Sequence, residues 1–197
     1  MRPDLLPRAA PSRCVGAGAK VAAVFTFVSG GLSSGKSAYA FRRASELGPP
    51  PWLYVSPQVE GDEAVKTRLA HYRRDQEAIW RIKDAPAELE SLLVPEILER
   101  HGALVIDKFS LWIAGKLAAT PPAQDGALLD NVELLADRLY RAPVPVVLVT
   151  TEVGLAFQPT VKAERRFIDV AGRANQLLAE RAASVVFMVS GVPWRLR

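Results

Sequence analysis

Gly30-Gly31-Leu32-Ser33-Ser34-Gly35-Lys36-Ser37 is the segment of this chain whose residue types and spacing carry the clearest chemistry. Gly30, Gly35, Lys36 and Ser37 fall at the fixed positions of GxxxxGK[ST], where glycines let backbone N–H groups curl around phosphate oxygens. The helix that follows such a loop adds the positive end of its dipole. At this spacing Lys36 bridges the terminal phosphates of a nucleoside triphosphate and Ser37 faces Mg2+. A metal bound this way needs an acidic partner at the end of a neighbouring apolar strand. Ala103-Leu104-Val105-Ile106-Asp107 has that form and makes Asp107 the candidate Mg2+-side carboxylate, a cap on the next helix being the alternative. Glu152 follows the apolar run Val144–Thr150 in the same way, at the edge where open α/β sheets gather ligands.

These residues need a scaffold, and the apolar pattern supplies one. Val21–Val28, Trp52–Val55, Ala103–Ile106, Val144–Thr150 and Val185–Val189 are short, continuous and mostly β-branched, as in strands covered on both faces. Between them, Gly35–Leu47, Asp62–Asp75, Pro86–Arg100, Leu128–Arg141 and Lys162–Ala183 place apolar residues at three- and four-residue spacing, which predicts helices. The alternation implies one α/β domain over residues 21–197, a mostly parallel sheet with helices on both faces. Thr120–Gly126 reads as a surface loop.

The chain has 197 residues, 49% hydrophobic and 23% charged, which argues against disorder, coiled coil and collagen-like repeats. Its single cysteine, Cys14, excludes an intramolecular disulfide and points to a reducing, cytoplasmic setting. The net charge of +4 is unevenly placed: in residues 1–20 Arg2, Arg8, Arg13 and Lys20 stand against Asp4 alone, so a mobile basic tail carries most of it. The near-neutral remainder has no basic stripe interleaved with aromatics, so nucleic acid is not an expected partner. No apolar run approaches the ~20 residues of a membrane span. The first apolar run leads into the glycine motif with no cleavage site, so export is not expected either.

Residues 151–191, TEVGLAFQPTVKAERRFIDVAGRANQLLAERAASVVFMVSG, resemble the NEVG…VP…R-F-x-D-x-x-G-x-x-N-Q pattern of the bifunctional adenosylcobinamide kinase / adenosylcobinamide-phosphate guanylyltransferase family of cobalamin biosynthesis. Glu152, Val153, Gly154, Pro159, Arg166, Phe167, Asp169, Gly172, Asn175 and Gln176 fall in register. GGLSSGKS is similar to that family's GGxRSGKS, and RLAHYRRDQEAIWRIKDAP, from Arg68 to Pro86, to its R-I-x-x-H-[RK]…W-x-x-x-E-x-P. The resemblance runs from about Val24 to the C-terminus. It implies a RecA-like P-loop NTPase fold, assembly as a homotrimer, and two activities on a corrinoid. A nucleoside triphosphate, GTP or ATP, phosphorylates adenosylcobinamide; GTP then guanylylates a histidine, which passes GMP to the new phosphate. A neutral imidazole suits that relay because it is a good nucleophile near pH 7.

In the ungapped register the guanylylated histidine falls on Tyr72, with His71 one residue earlier, about 100° round a helix. A tyrosine oxygen accepts a nucleotidyl group only when activated, its pKa being near 10. His71, Tyr72 and Lys36 are therefore the catalytic candidates. Ser56, Pro57, Gln58 and Asp84 occupy positions that contact nucleotide in the family, and Glu152, Arg166 and Asp169 are candidates for the substrate side. Arg166 and Asp169, at i and i+3, fit a helix-surface ion pair equally well. Arg68, Arg73 and Arg74, near His71, fit either a phosphate clamp or a solvated basic face. Ser33, Lys108, Gly115 and Thr151 also depart from the pattern, in place of Arg, a small Cys or Ser, Asn and Asn. The sequence thus supports two readings: both activities, or a kinase-only or non-catalytic nucleotide-binding paralogue.

Overall fold

The computed structural model describes residues 24–57, 80–155 and 159–197. Strands β1 (Phe25–Gly30), β2 (Trp52–Ser56), β3 (Trp80–Asp84), β4 (Ala103–Ile106), β5 (Val146–Val149), β6 (Ser184–Val189) and β7 (Val192–Arg195) form one seven-stranded sheet in the order β3-β2-β4-β5-β1-β6-β7. All neighbours are parallel except β6 and β7, an antiparallel hairpin turning at Ser190–Gly191. The helices are α1 (Lys36–Leu47), α2 (Pro95–Leu98), α3 (Phe109–Ala119), α4 (Asp125–Tyr140) and α5 (Lys162–Arg181). None of the described helices is long and apolar enough to cross a membrane.

Strand side chains alternate between two apolar layers, as a period of two requires. Phe25, Phe27, Leu53, Val55, Leu104, Ile106, Val146 and Leu148 pack with α3, α4 and α5 on one face. Val28, Trp52, Tyr54, Val105, Val147 and Val149 pack with Ala40, Phe41, Ala44 and Leu47 of α1 on the other. This parity matters for the site: Asp107 continues the Ala103, Val105 series and so leaves the sheet on the side of α1.

The sequence patterns and the structure differ at five places, one of them β7 itself, whose four residues are all exposed and carry no buried apolar run. Pro86–Arg100 is not one helix. Leu89–Leu92 forms a 3-10 turn and Pro95–Leu98 a single helical turn, because Pro95 has no N–H to donate and holds Val94 in extended backbone at φ −104°, ψ 144°. Trp80–Asp84 is a strand at the sheet edge, where only Trp80 is buried and the alternation of a covered strand is missing. Phe109–Ala119 is a helix nearly apolar around its circumference, wedged against the core through Phe109, Trp112, Ile113 and Leu117. The segment Thr120–Gly126 is only partly a loop, since Pro122–Gln124 makes a 3-10 turn and α4 begins at Asp125. The predicted helix over Asp62–Asp75 and the tail 1–20 lie outside the described residues.

Candidate nucleotide-binding site

Residues 30–35 join the buried strand β1 to α1. Glycine is required at both ends of this turn. Gly35, immediately before α1, sits at φ 91°, and a Cβ there would lie 3.2 Å from the α-carbon of Gly191. At Gly30, φ 149°, a Cβ would lie 2.5 Å from the carbonyl oxygen of Met188. Ser33 takes the left-handed conformation at φ 55°. The β6–β7 turn braces the loop, as the Gly191 N–H donates to the Ser34 carbonyl at 2.9 Å. No side chain caps the start of α1, so its first amides remain available to an anion. Leu32, at the tip, is exposed, Ser34 is buried, and Gly31 is open.

Lys36 folds back across this loop. Its ammonium donates to the Gly31 carbonyl at 2.6 Å and to Ser34 Oγ at 3.5 Å. Burial pushes its pKa below the ordinary lysine range, and the nearby Asp107 carboxylate partly restores it. Ser37 follows on the first turn of α1, partly exposed.

Asp107 is 1% exposed and stands at the end of β4. Its N–H continues the ladder to Val55 O at 2.8 Å. Oδ2 accepts the Tyr54 hydroxyl at 2.9 Å and Oδ1 accepts the Lys108 N–H at 2.8 Å, where Lys108 enters α3 at φ 58°. No cluster of three or more His, Cys, Asp or Glu able to cage a metal occurs among the described residues. One buried carboxylate, one loop hydroxyl and a glycine cradle fit a Mg2+ ion that takes most of its ligands from phosphates and water.

Glu152 is tied to the same edge. Its N–H donates to the Gly30 carbonyl at 3.1 Å. The turn before it is latched to α5: Thr150 Oγ1 donates to Asn175 Oδ1 at 3.0 Å, and Asn175 Nδ2 donates to Thr151 O at 3.2 Å. Ser56 and Asp84 lie side by side at the ends of β2 and β3, with Pro57 next to Ser56. His71, Tyr72 and Gln58, together with Arg68, Arg73 and Arg74, lie outside the described residues.

Arg166 and Asp169 behave differently from the expectation of an i, i+3 ion pair. The Arg166 guanidinium forks onto Asp125, with Nε 3.1 and 3.0 Å from its two oxygens and Nη2 2.6 Å from Oδ1. Its remaining donors reach Leu117 O at 3.2 Å and Thr120 O at 2.6 Å. Arg166 therefore fastens α5 to the end of α3 and the start of α4, while Asp169 is exposed. Among the described residues no hydrogen bond links either of them to the glycine loop. Tyr54, Thr150 and Gly191 enter the site through contacts that no local motif marks; a tyrosine in the apolar run WLYV was the only outward sign of the first.

A family model described as cobinamide kinase / cobinamide phosphate guanyltransferase matches residues 26–196, nearly the whole described fold. The chain belongs to this family. The bifunctional adenosylcobalamin biosynthesis protein CobP of Pseudomonas aeruginosa is 34% identical over 85% of this chain and 94% of its own length. The proteins of the same description named CobU, from Salmonella typhimurium and Escherichia coli, are 29% and 28% identical over 86% of this chain and 98% of theirs. The mostly parallel sheet with a glycine loop between β1 and α1 is the P-loop NTPase-like fold of this family. The family's two activities, kinase and guanyltransferase, are both group transfers.

Proposed function

We propose that this chain uses a nucleoside triphosphate, ATP or GTP, with Mg2+ to phosphorylate adenosylcobinamide, and that it transfers GMP from GTP to adenosylcobinamide phosphate. The observation that carries the reading is the convergence of Lys36 and Asp107 on the α1 side of the sheet, beside a loop that requires glycine at Gly30 and Gly35. In the kinase step the hydroxyl oxygen of the corrinoid side chain bonds to the γ-phosphorus, the bridge to the β-phosphate breaks, and a nucleoside diphosphate leaves. The hydroxyl proton passes to solvent or product phosphate. The amides of residues 30–35 and the Lys36 ammonium hold the phosphates and take up the charge that shifts toward the leaving group. Ser37 and Asp107 would hold Mg2+, which would supply charge neutralisation to the triphosphate. Ser56, Pro57, Gln58 and Asp84 are assigned to the nucleotide, and Glu152 to the substrate side. Arg166 is assigned there only indirectly, through its hold on α3 and α4, and Asp169 as an exposed residue of the same helix.

In the guanylyl step, His71 or Tyr72 bonds the α-phosphorus of GTP with loss of pyrophosphate, and the corrinoid phosphate then displaces the side chain. The tyrosine at the relay position favours one second reading, a chain that retains nucleotide binding or the kinase step alone. A homotrimer in the cytoplasm, not engaging nucleic acid, completes the proposal. Intact-mass measurement after mixing with GTP and Mg2+ tests the relay: a GMP-sized adduct mapped to His71 or Tyr72 is expected. No adduct, with nucleotide still consumed only when adenosylcobinamide is added, would establish the second reading.

A further inference from the structure

Tyr54 is 0% exposed, lies on the α1 face of β2, and directs its hydroxyl onto the Asp107 carboxylate at 2.9 Å. Its ring stacks on Phe41 of α1, with centroids 5.0 Å apart and planes 17° from parallel, and Phe41 meets Trp80 edge-on at 4.6 Å. The hydroxyl is thus located by the helix that the glycine loop opens. Among the described residues the other carboxylate oxygen, Oδ1, accepts from the Lys108 amide, a backbone donor. The hydrogen bonds of Lys36 go to Gly31 and Ser34 in its own loop, so among the described residues the Tyr54 hydroxyl is the side-chain donor to this carboxylate. The phenol hydroxyl donates and the carboxylate accepts, and hydrogen bonds to carboxylates are of the stronger kind.

We propose that Tyr54 is a positioning residue for the nucleotide's Mg2+: its hydroxyl locks the plane of Asp107 so that the remaining lone pairs face the metal and its water. The inference rests on the assignment of Asp107 to the metal. It goes beyond that assignment by giving a buried core tyrosine a share in metal affinity. Groups that orient a metal's carboxylate commonly govern affinity by about tenfold or more.

The test is GTP binding to the full chain, followed by calorimetry as Mg2+ is titrated and again in EDTA. Tyr54→Phe removes one oxygen and leaves the ring stacked on Phe41. It is expected to raise the Mg2+ concentration for half-maximal enhancement about tenfold, with GTP affinity in EDTA changed less than about twofold. Tyr54→Met, of similar bulk and without a hydroxyl, is expected to do the same. Val105→Ala, a buried neighbour on the same face, serves as the control for lost packing and is expected to leave the midpoint in place. An unshifted midpoint in the Tyr54 variants overturns the inference, and so does an equal shift in Val105→Ala or an equal loss in EDTA. Asp107→Asn separates the two levels. If it leaves the Mg2+ enhancement intact, the metal assignment of Asp107 fails; if it removes the enhancement while Tyr54→Phe does not, only the role of Tyr54 fails.

Discussion

Replacing Asn175 by alanine probes how the turn beside the glycine loop is held. Asn175 is 5% exposed and makes two hydrogen bonds, accepting from Thr150 Oγ1 at 3.0 Å and donating to Thr151 O at 3.2 Å. Each is worth about 1 kcal/mol net, and the Thr150 hydroxyl, 1% exposed, would be left without a partner at a cost of about 1 kcal/mol more. Alanine returns about 0.5 kcal/mol of helix propensity within α5. The expected loss is therefore about 2–3 kcal/mol, or a Tm lower by about 5–10 °C for a chain of this size. Thr150→Val removes the same hydroxyl with little change of shape and is expected to cost about 1 kcal/mol. Because the two residues share one bond, and the double variant has no Thr150 hydroxyl to be left without a partner, its loss should fall short of the sum by about 2 kcal/mol. Thermal and urea unfolding of the four proteins closes the cycle. Additive losses, or an Asn175→Ala loss below about 1 kcal/mol, would refute the latch.

Three further outcomes follow from the same structure. Lys36→Ala removes the ammonium that crosses the loop and is expected to abolish triphosphate binding; GTP affinity equal to wild type, measured by calorimetry, contradicts the site. The Arg166 guanidinium holds the Asp125 carboxyl below its ordinary value near 3.8, so the pair's stabilisation is complete above that pH and disappears as pH falls through the lower folded value. Acid unfolding should accordingly show wild type losing its margin over Asp125→Asn only in that low window, and a margin independent of pH would be inconsistent with the pair. Gly35→Ala places a side chain at φ 91° and 3.2 Å from Gly191, and is expected to cut GTP affinity at least tenfold while the protein stays folded by circular dichroism.

The glycine loop and its flanking strand and helix were readable in the sequence because the motif, the buried run Phe25–Gly30 and the α1 stripe at Ala40, Phe41, Ala44 and Leu47 are all local. The order of the strands was not, since it depends on pairings such as Phe27 with Leu148 that no local period encodes. Edge position hid β3, whose residues after Trp80 are largely exposed, and an almost wholly apolar composition hid α3, which lacks the polar stripe that marks an amphipathic helix even though Leu111, Gly115, Ala118 and Ala119 are exposed. The contacts that shape the site are long in sequence. Tyr54 meets Asp107 across 53 residues, and Arg166 finds Asp125 across 41 rather than Asp169 one turn away. Local spacing proposes a partner for Arg166; tertiary packing brings a carboxylate and two helix-end carbonyls that hold its planar fork better.

Product analysis bears most directly on the central proposal. The chain is incubated with GTP, Mg2+ and adenosylcobinamide, with Lys36→Ala in parallel, and the corrinoids are separated and weighed by mass spectrometry. The result expected is adenosylcobinamide phosphate followed by its GDP-linked product, both absent with Lys36→Ala. Unmodified adenosylcobinamide after complete binding of Mg2+ and GTP would contradict it.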